Sequence, residues 1–267
     1  MNNYRPSFWS SIPPITKNLL IVNVILFLAT LVAKRWGVEL NDILGMHYWE
    51  ADKFNPAQML TYMFMHSDEG LTHIFFNMFA LFMFGRVLEQ FWGPKRFLFY
   101  YMVTGIGAGI IQQIVLSIEI YPVINAFNEA ICNNSVELLK PYESEIFDGL
   151  IYSGGGKPSL RDVHSISDMI ALKDVFLNKF TTVGASGAVF GILLAFGMLF
   201  PNTELFIMFI PIPVKAKYVV IGYGLLELYL GFANRAGDSV AHFAHLGGML
   251  FGIILILYWK KKGRLYN

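Results

Sequence analysis

Cysteine occurs once in the 267 residues, at Cys132, so no intrachain disulfide can brace the fold. Charge is nearly as scarce, at 15% of residues against roughly 25% in soluble domains, and the formal balance of +1 offers no one-signed surface for nucleic acid. No internal repeat, heptad or low-complexity tract stands out. What fills the chain is apolar: 55% of residues are hydrophobic and the mean hydropathy is +0.50. An ordinary soluble domain of this length is not so apolar, and the bilayer becomes the first solvent to consider.

A spanning helix needs about 20 mostly apolar residues. Six stretches qualify as candidates, roughly 17–34, 72–91, 97–117, 183–200, 216–233 and 240–259, which predicts an all-α, polytopic membrane bundle of six transmembrane helices. The segment 205–214 is apolar too, but it is short and carries Pro211 and Pro213, so it reads as an interfacial loop. The first apolar run lacks a small-residue cleavage site and is followed by Lys34 and Arg35, which marks an anchor rather than a cleavable signal.

Lys and Arg concentrate on one side when the six helices alternate: Arg5 and Lys17, then Arg86, Lys95 and Arg96, then Lys215 and Lys217, and finally Lys260, Lys261, Lys262 and Arg264. Retention of positive charge in the cytoplasm predicts both termini there. The expected location is an integral position in a bacterial inner membrane. The whole chain, 1–267, reads as one membrane domain, with an extracytoplasmic insert at 118–182 between helices three and four. Asn133, Asn134, Pro141, Glu143, Glu145, Asp148 and the run Gly154-Gly155-Gly156 predict a solvated segment there, with helical pieces near 122–139 and 165–179. Substrate gating, partner docking and simple decoration all fit a connection this long.

Polar groups inside spans are costly, so each is a functional candidate with a packing alternative beside it. Ser186 lies in Gly184-Ala185-Ser186-Gly187-Ala188-Val189-Phe190-Gly191, where a helix start would put free backbone N–H groups beside the hydroxyl. The alternative is a small-residue interface built on Gly187 and Gly191. His245 lies in Ala244-His245-Leu246-Gly247-Gly248 with Gly252 beyond, and 245, 248 and 252 share one helical stripe that can press against the fourth span.

Both helices then descend from the same side, and the imidazole can take the serine proton. Phe190, one turn past Ser186, could orient the ring. No Asp or Glu lies in spans four or six, so a two-residue dyad is expected; Asp238 in the preceding loop is a conceivable third member.

His73 and Asn77 are four residues apart on one face of span two, suited either to oxyanion donation or to gluing helices. A metal site on His66, His73, His242 and His245 is set aside because no acid or cysteine accompanies them. Glu89 and Gly85 read as structural, with Glu89 a cap or ion pair.

His73-x-x-x-Asn77, Gly184-x-Ser186-Gly187 and Ala244-His245-x-x-Gly248-x-x-x-Gly252, in that order on spans two, four and six, resemble the rhomboid intramembrane serine proteases. Gln58-x-x-Thr61-Tyr62-x-Phe64-x-His66 and Gly85-x-x-x-Glu89 add to the likeness. Trp49-Glu50, in place of the Trp-Arg pair of many members, and the long third connection depart from it.

The resemblance implies a Ser186–His245 dyad, oxyanion stabilisation by His73 and Asn77, and no cofactor or metal. Its implied substrates are transmembrane proteins entering from the lipid bilayer between spans two and five, beside the loop 233–240. The alternative is an inactive relative that binds membrane-protein clients without cutting them.

Overall fold

The computed structural model describes residues 11–68, 70–150, 158–206, 212–233 and 241–265. Asp238, nearly all of the loop 233–240 and the Gly154-Gly155-Gly156 run lie outside them. Six apolar helices order the chain: α1 (Pro14–Lys34), α2 (Leu71–Trp92), α3 (Pro94–Asn133), α4 (Ser186–Leu199), α5 (Ala216–Ala233) and α6 (His242–Lys261). Five of them are long and apolar enough to cross a membrane, and the chain folds as an all-α membrane bundle. The fourth, α4, has only 14 residues and rises about 21 Å, less than the roughly 30 Å of a hydrocarbon core.

The side chains are distributed as lipid demands. Along α1 the buried stripe is Thr16, Leu19, Asn23, Phe27 and Thr30, whereas Val24, Ile25 and Leu28 are exposed. The amide nitrogen of Asn23 and the hydroxyl of Thr30 donate to the carbonyls of Leu19 and Leu26, at 2.7 and 2.9 Å. An exposed apolar face over a buried polar stripe is stable only where the surroundings are hydrocarbon.

The C-terminal end of α2 supplies what the start of α1 lacks. Buried Glu89 accepts hydrogen bonds from the backbone N–H groups of Ile15 and Thr16, at 2.9 and 2.7 Å, and from the Thr16 hydroxyl at 2.8 Å. It is therefore a cap contributed by another helix, satisfying two donors that α1 cannot and placing negative charge at a positive helix end. Glu89→Ala strands these donors and is expected to lower unfolding stability in detergent by about 3 kcal/mol, with a smaller loss in Glu89→Gln, which keeps one acceptor oxygen.

By contacts the described chain divides into two compact units. The first comprises 11–46, 56–112 and 182–265, and the second 47–55 and 113–181. In the first, α4 and α6 pack extensively on each other. Tyr100 on α3 donates its hydroxyl to the carbonyl of Gly191 on α4 at 2.8 Å, fixing α3 beside α4. The segment expected as an interfacial loop has ribbon arms instead: Glu204–Phe206 pairs antiparallel with Pro213–Lys215, and 207–211 lies outside the described residues. Pro213 is tolerated because a two-stranded ribbon consists of edges only.

The second unit corrects two expectations about the third connection. Helix α3 does not end near 117; it runs unbroken through Pro122 to Asn133, 40 residues in all. The hydrogen bond that Pro122 forfeits is outweighed by packing, since Ile120, Val123, Ile124, Phe127 and Ala130 fall at helical spacing into one core. That core also takes Tyr48, Leu139, Ile146, Met169 and Phe176, so the stretch read as a solvated insert buries a hydrophobic cluster of its own. The helix Ile166–Asn178 closes it, capped by Ser165, whose Oγ accepts the N–H of Asp168 at 3.1 Å.

Candidate active site

Ser186 opens α4. Two residues earlier Gly184 has φ +136°, a conformation that L side chains rarely adopt, and its N–H donates to the carbonyl of Tyr62 at 3.0 Å. The turn is thereby pinned, and Ser186 takes up the first helical position, where backbone N–H groups have no partner within the helix. His73 and Ser186 both face Gly184. A β-carbon built there would lie 3.1 Å from Nε2 of His73 and 3.4 Å from Oγ of Ser186.

Helices α4 and α6 meet backbone to backbone just beyond the serine. A β-carbon on Gly248 would lie 1.9 Å from the carbonyl oxygen of Gly187, and one on Gly187 would lie 3.4 Å from the carbonyl of Ala244. These contacts bracket His245. Its imidazole stacks on Phe190 with centroids 4.2 Å apart and planes 8° from parallel. Phe190 is four residues past Ser186, so the ring that carries His245 rests on the face of α4 that carries the hydroxyl.

His73 and Asn77 lie on one face of α2. The amide nitrogen of Asn77, which is buried, donates to the backbone carbonyl of His73 at 2.9 Å; a carboxamide nitrogen has two hydrogens, which leaves one for another acceptor. The ring of His73 packs against that of His66, centroids 5.2 Å apart.

His66 lies outside the spanning helices and is fully buried. Burial, with His73 alongside adding to it, pushes its pKa down to about 4. Between pH 6.5, where an unfolded histidine titrates, and about 4, the unfolded chain binds a proton that the folded chain refuses. This stability is therefore complete above pH 6.5 and falls with decreasing pH by about 1.4 kcal/mol per unit across that window. Thermal midpoints in detergent are expected to decline more steeply from pH 6.5 to 4 in the wild type than in His66→Gln.

One residue escaped the sequence reading. Glu227, on α5, accepts hydrogen bonds from Nδ1 of His245 at 2.8 Å and from Nδ1 of His242 at 2.6 Å, both on its Oε2. The expected two-residue dyad rests on the lack of an acid in spans four and six, with Asp238 of the loop before span six as the conceivable third member, whereas the carboxylate comes from span five. The available signal was Glu227 itself, an acid within the apolar run Leu225-Leu226-Glu227-Leu228.

Contrary to the expectation that no acid joins the histidines, a carboxylate accompanies His242 and His245. The three ligand atoms lie within 4.8 Å of one another, a His2Glu set of the kind that suits Zn2+. Their 2.6 and 2.8 Å separations from the oxygen are, however, those of hydrogen bonds, shorter than the roughly 3.3 Å edge of a tetrahedron of bonds near 2.0–2.1 Å.

A family model described as the Rhomboid domain matches residues 53–121 and 165–262. The chain belongs to the rhomboid family. It is also 36% identical over 80 residues to Rhomboid protein 1, mitochondrial, of Saccharomyces cerevisiae, a stretch amounting to 30% of this chain and 22% of the yeast protein. The chain thus aligns with about a fifth of that relative's length. Rhomboid membership and the spanning helices together make this an integral membrane protein. The described residues between the two matched stretches, 122–150 and 158–164, belong to the second unit and include its helix Glu143–Phe147.

Proposed function

We propose that this rhomboid is an intramembrane serine endopeptidase that cuts other membrane proteins in or beside their transmembrane segments. The observation that carries the reading is the stacking of His245 on Phe190, one helical turn from Ser186, beside the backbone contact of α4 and α6 at Gly187 and Gly248. Ser186 is the nucleophile and His245 its base. The serine oxygen attacks the scissile carbonyl carbon while the imidazole takes its proton.

The resulting oxyanion is stabilised by the Ser186 N–H at the helix start and by His73 and Asn77. As the tetrahedral species collapses, the protonated imidazole delivers its proton to the departing amine. Water, activated by the same base, then releases the acyl group from Ser186. A peptide bond engaged in a hydrogen-bonded helix cannot reach the serine, so the substrate must unwind locally.

The short α4 supports a site recessed from the membrane surface: Phe200 at its C-terminal end packs against Phe91 near that of α2, centroids 5.3 Å apart, and a helix of about 21 Å that ends there starts short of the opposite boundary. The distribution of Lys and Arg supports both termini on the cytoplasmic side, with α4 and α6 starting toward the opposite face. Lateral entry of substrate from the bilayer near α2 and α5 belongs to the same reading.

The test is cleavage in liposomes that contain a tagged transmembrane substrate, with wild type and Ser186→Ala in parallel. Fragment release by the wild type alone is expected. Binding of substrates without fragment release by any folded version would instead identify an inactive rhomboid that holds membrane-protein clients.

A further inference from the structure

Glu227 is a buried carboxylate in an apolar helix, and leaving such a group without partners is costly. Its two partners are imidazoles that come from the start of the next helix, and both engage the same oxygen. A carboxylate accepts and does not donate, so each histidine must present a hydrogen on Nδ1. For a neutral ring this leaves Nε2 bare. His245 is thereby held in the one neutral tautomer in which its other nitrogen can receive the proton of Ser186. Two constraints then set the ring: the stack on Phe190 fixes its plane, and the bond to Glu227 fixes its rotation within that plane.

We propose that Glu227 is a positioning residue for the reaction, holding Nδ1–H of His245 so that Nε2 serves as base and stabilising the imidazolium once the proton has moved. The proposal rests on the reading of Ser186 and His245 as the reacting pair and deepens it from two residues to three, the third lying on α5. His242 shares the carboxylate, and its bond ties the start of α6 to α5 at the level of the site. Since one oxygen serves two rings, the support given to His245 is divided, and the loss on its removal should fall below the roughly 10,000-fold that follows loss of an unshared orienting carboxylate.

The decisive comparison is of kcat and KM for wild type, Ser186→Ala and Glu227→Gln in the same liposomes. An amide at 227 can turn its NH2 toward Nδ1, which moves the imidazole hydrogen to Nε2 and abolishes the base. Glu227→Gln is expected to lower kcat about 100-fold with KM changed less than about threefold, because substrate contacts are untouched. Loss of activity in Ser186→Ala beside an unaltered Glu227→Gln overturns this proposal alone. Equal rates for wild type and Ser186→Ala overturn the parent reading, and this proposal with it.

A measurement on the wild type covers the case in which the variant fails to fold. Nitrogen NMR of histidine-labelled protein at mildly alkaline pH, assigned with His245→Gln, should find His245 carrying its hydrogen on Nδ1. A hydrogen on Nε2 contradicts the proposal. So does loss of wild-type activity on chelation with recovery on added Zn2+, which would make the same three ligands a metal centre.

Discussion

Gly248→Ala is expected to unfold or inactivate the protein although it adds a single methyl group. That methyl would lie 1.9 Å from the carbonyl oxygen of Gly187 and 2.7 Å from its carbonyl carbon. Both are backbone atoms of a neighbouring helix and cannot move aside as the end of a flexible side chain can. Helices α4 and α6 would have to separate, which would draw Ser186 away from His245 and loosen the stack on Phe190. Overpacking against yielding side chains typically costs 1–3 kcal/mol, and against backbone about 3 kcal/mol or more is expected.

The control is Gly222→Ala on α5, where a β-carbon would meet nothing within 4 Å. There alanine should be neutral or stabilising by about 0.5–1 kcal/mol, the ordinary helix preference over glycine. Thermal midpoints of the two variants in detergent, with residual cleavage activity, decide the matter. Equal behaviour would mean that α4 and α6 are not in backbone contact.

The second large effect is on chemistry rather than stability. Ser186→Ala and His245→Ala are each expected to reduce kcat by about 10,000-fold or more, and the double substitution to cost little beyond the worse single one. Residues that act as one unit fail together: a serine without its base is a weak nucleophile, and a base without its serine has no proton to take. Independent roles would give losses that multiply. Single-turnover cleavage in liposomes separates the two cases, with unchanged thermal midpoints as the check that each variant folds.

The parts of this architecture that were legible in the sequence are those written as local pattern. The five long apolar helices follow from run length and composition. The glycines at 187, 248 and 252 announced close helix packing through their spacing, and Phe190 through its one-turn offset from Ser186. Glu89 was legible as structural, a cap or an ion pair, though not as the cap of α1, since its partners Ile15 and Thr16 lie more than 70 positions away.

What escaped is mostly what tertiary contacts decide. Pro122 marks a break by its chemistry, yet the core around Phe127 keeps α3 intact across it. The second unit draws Tyr48 and Ala51 from the first connection into a core with residues near 120–177, a long-range assembly that composition alone presents as a polar insert. Glu227 is 18 positions before His245 and on another helix, so no spacing rule links them; the lone acid in an apolar run was the clue, and its partner emerged only when α5 and α6 came together.

The most direct test of the central claim is covalent. A fluorophosphonate reacts with a serine oxygen only when that oxygen is activated by a base, and the adduct can be located by peptide mass spectrometry. On wild-type protein in detergent the adduct is expected on Ser186, strongly diminished in His245→Ala and absent in Ser186→Ala. Labelling at another serine, or equal labelling of Ser186 with and without His245, would contradict the account.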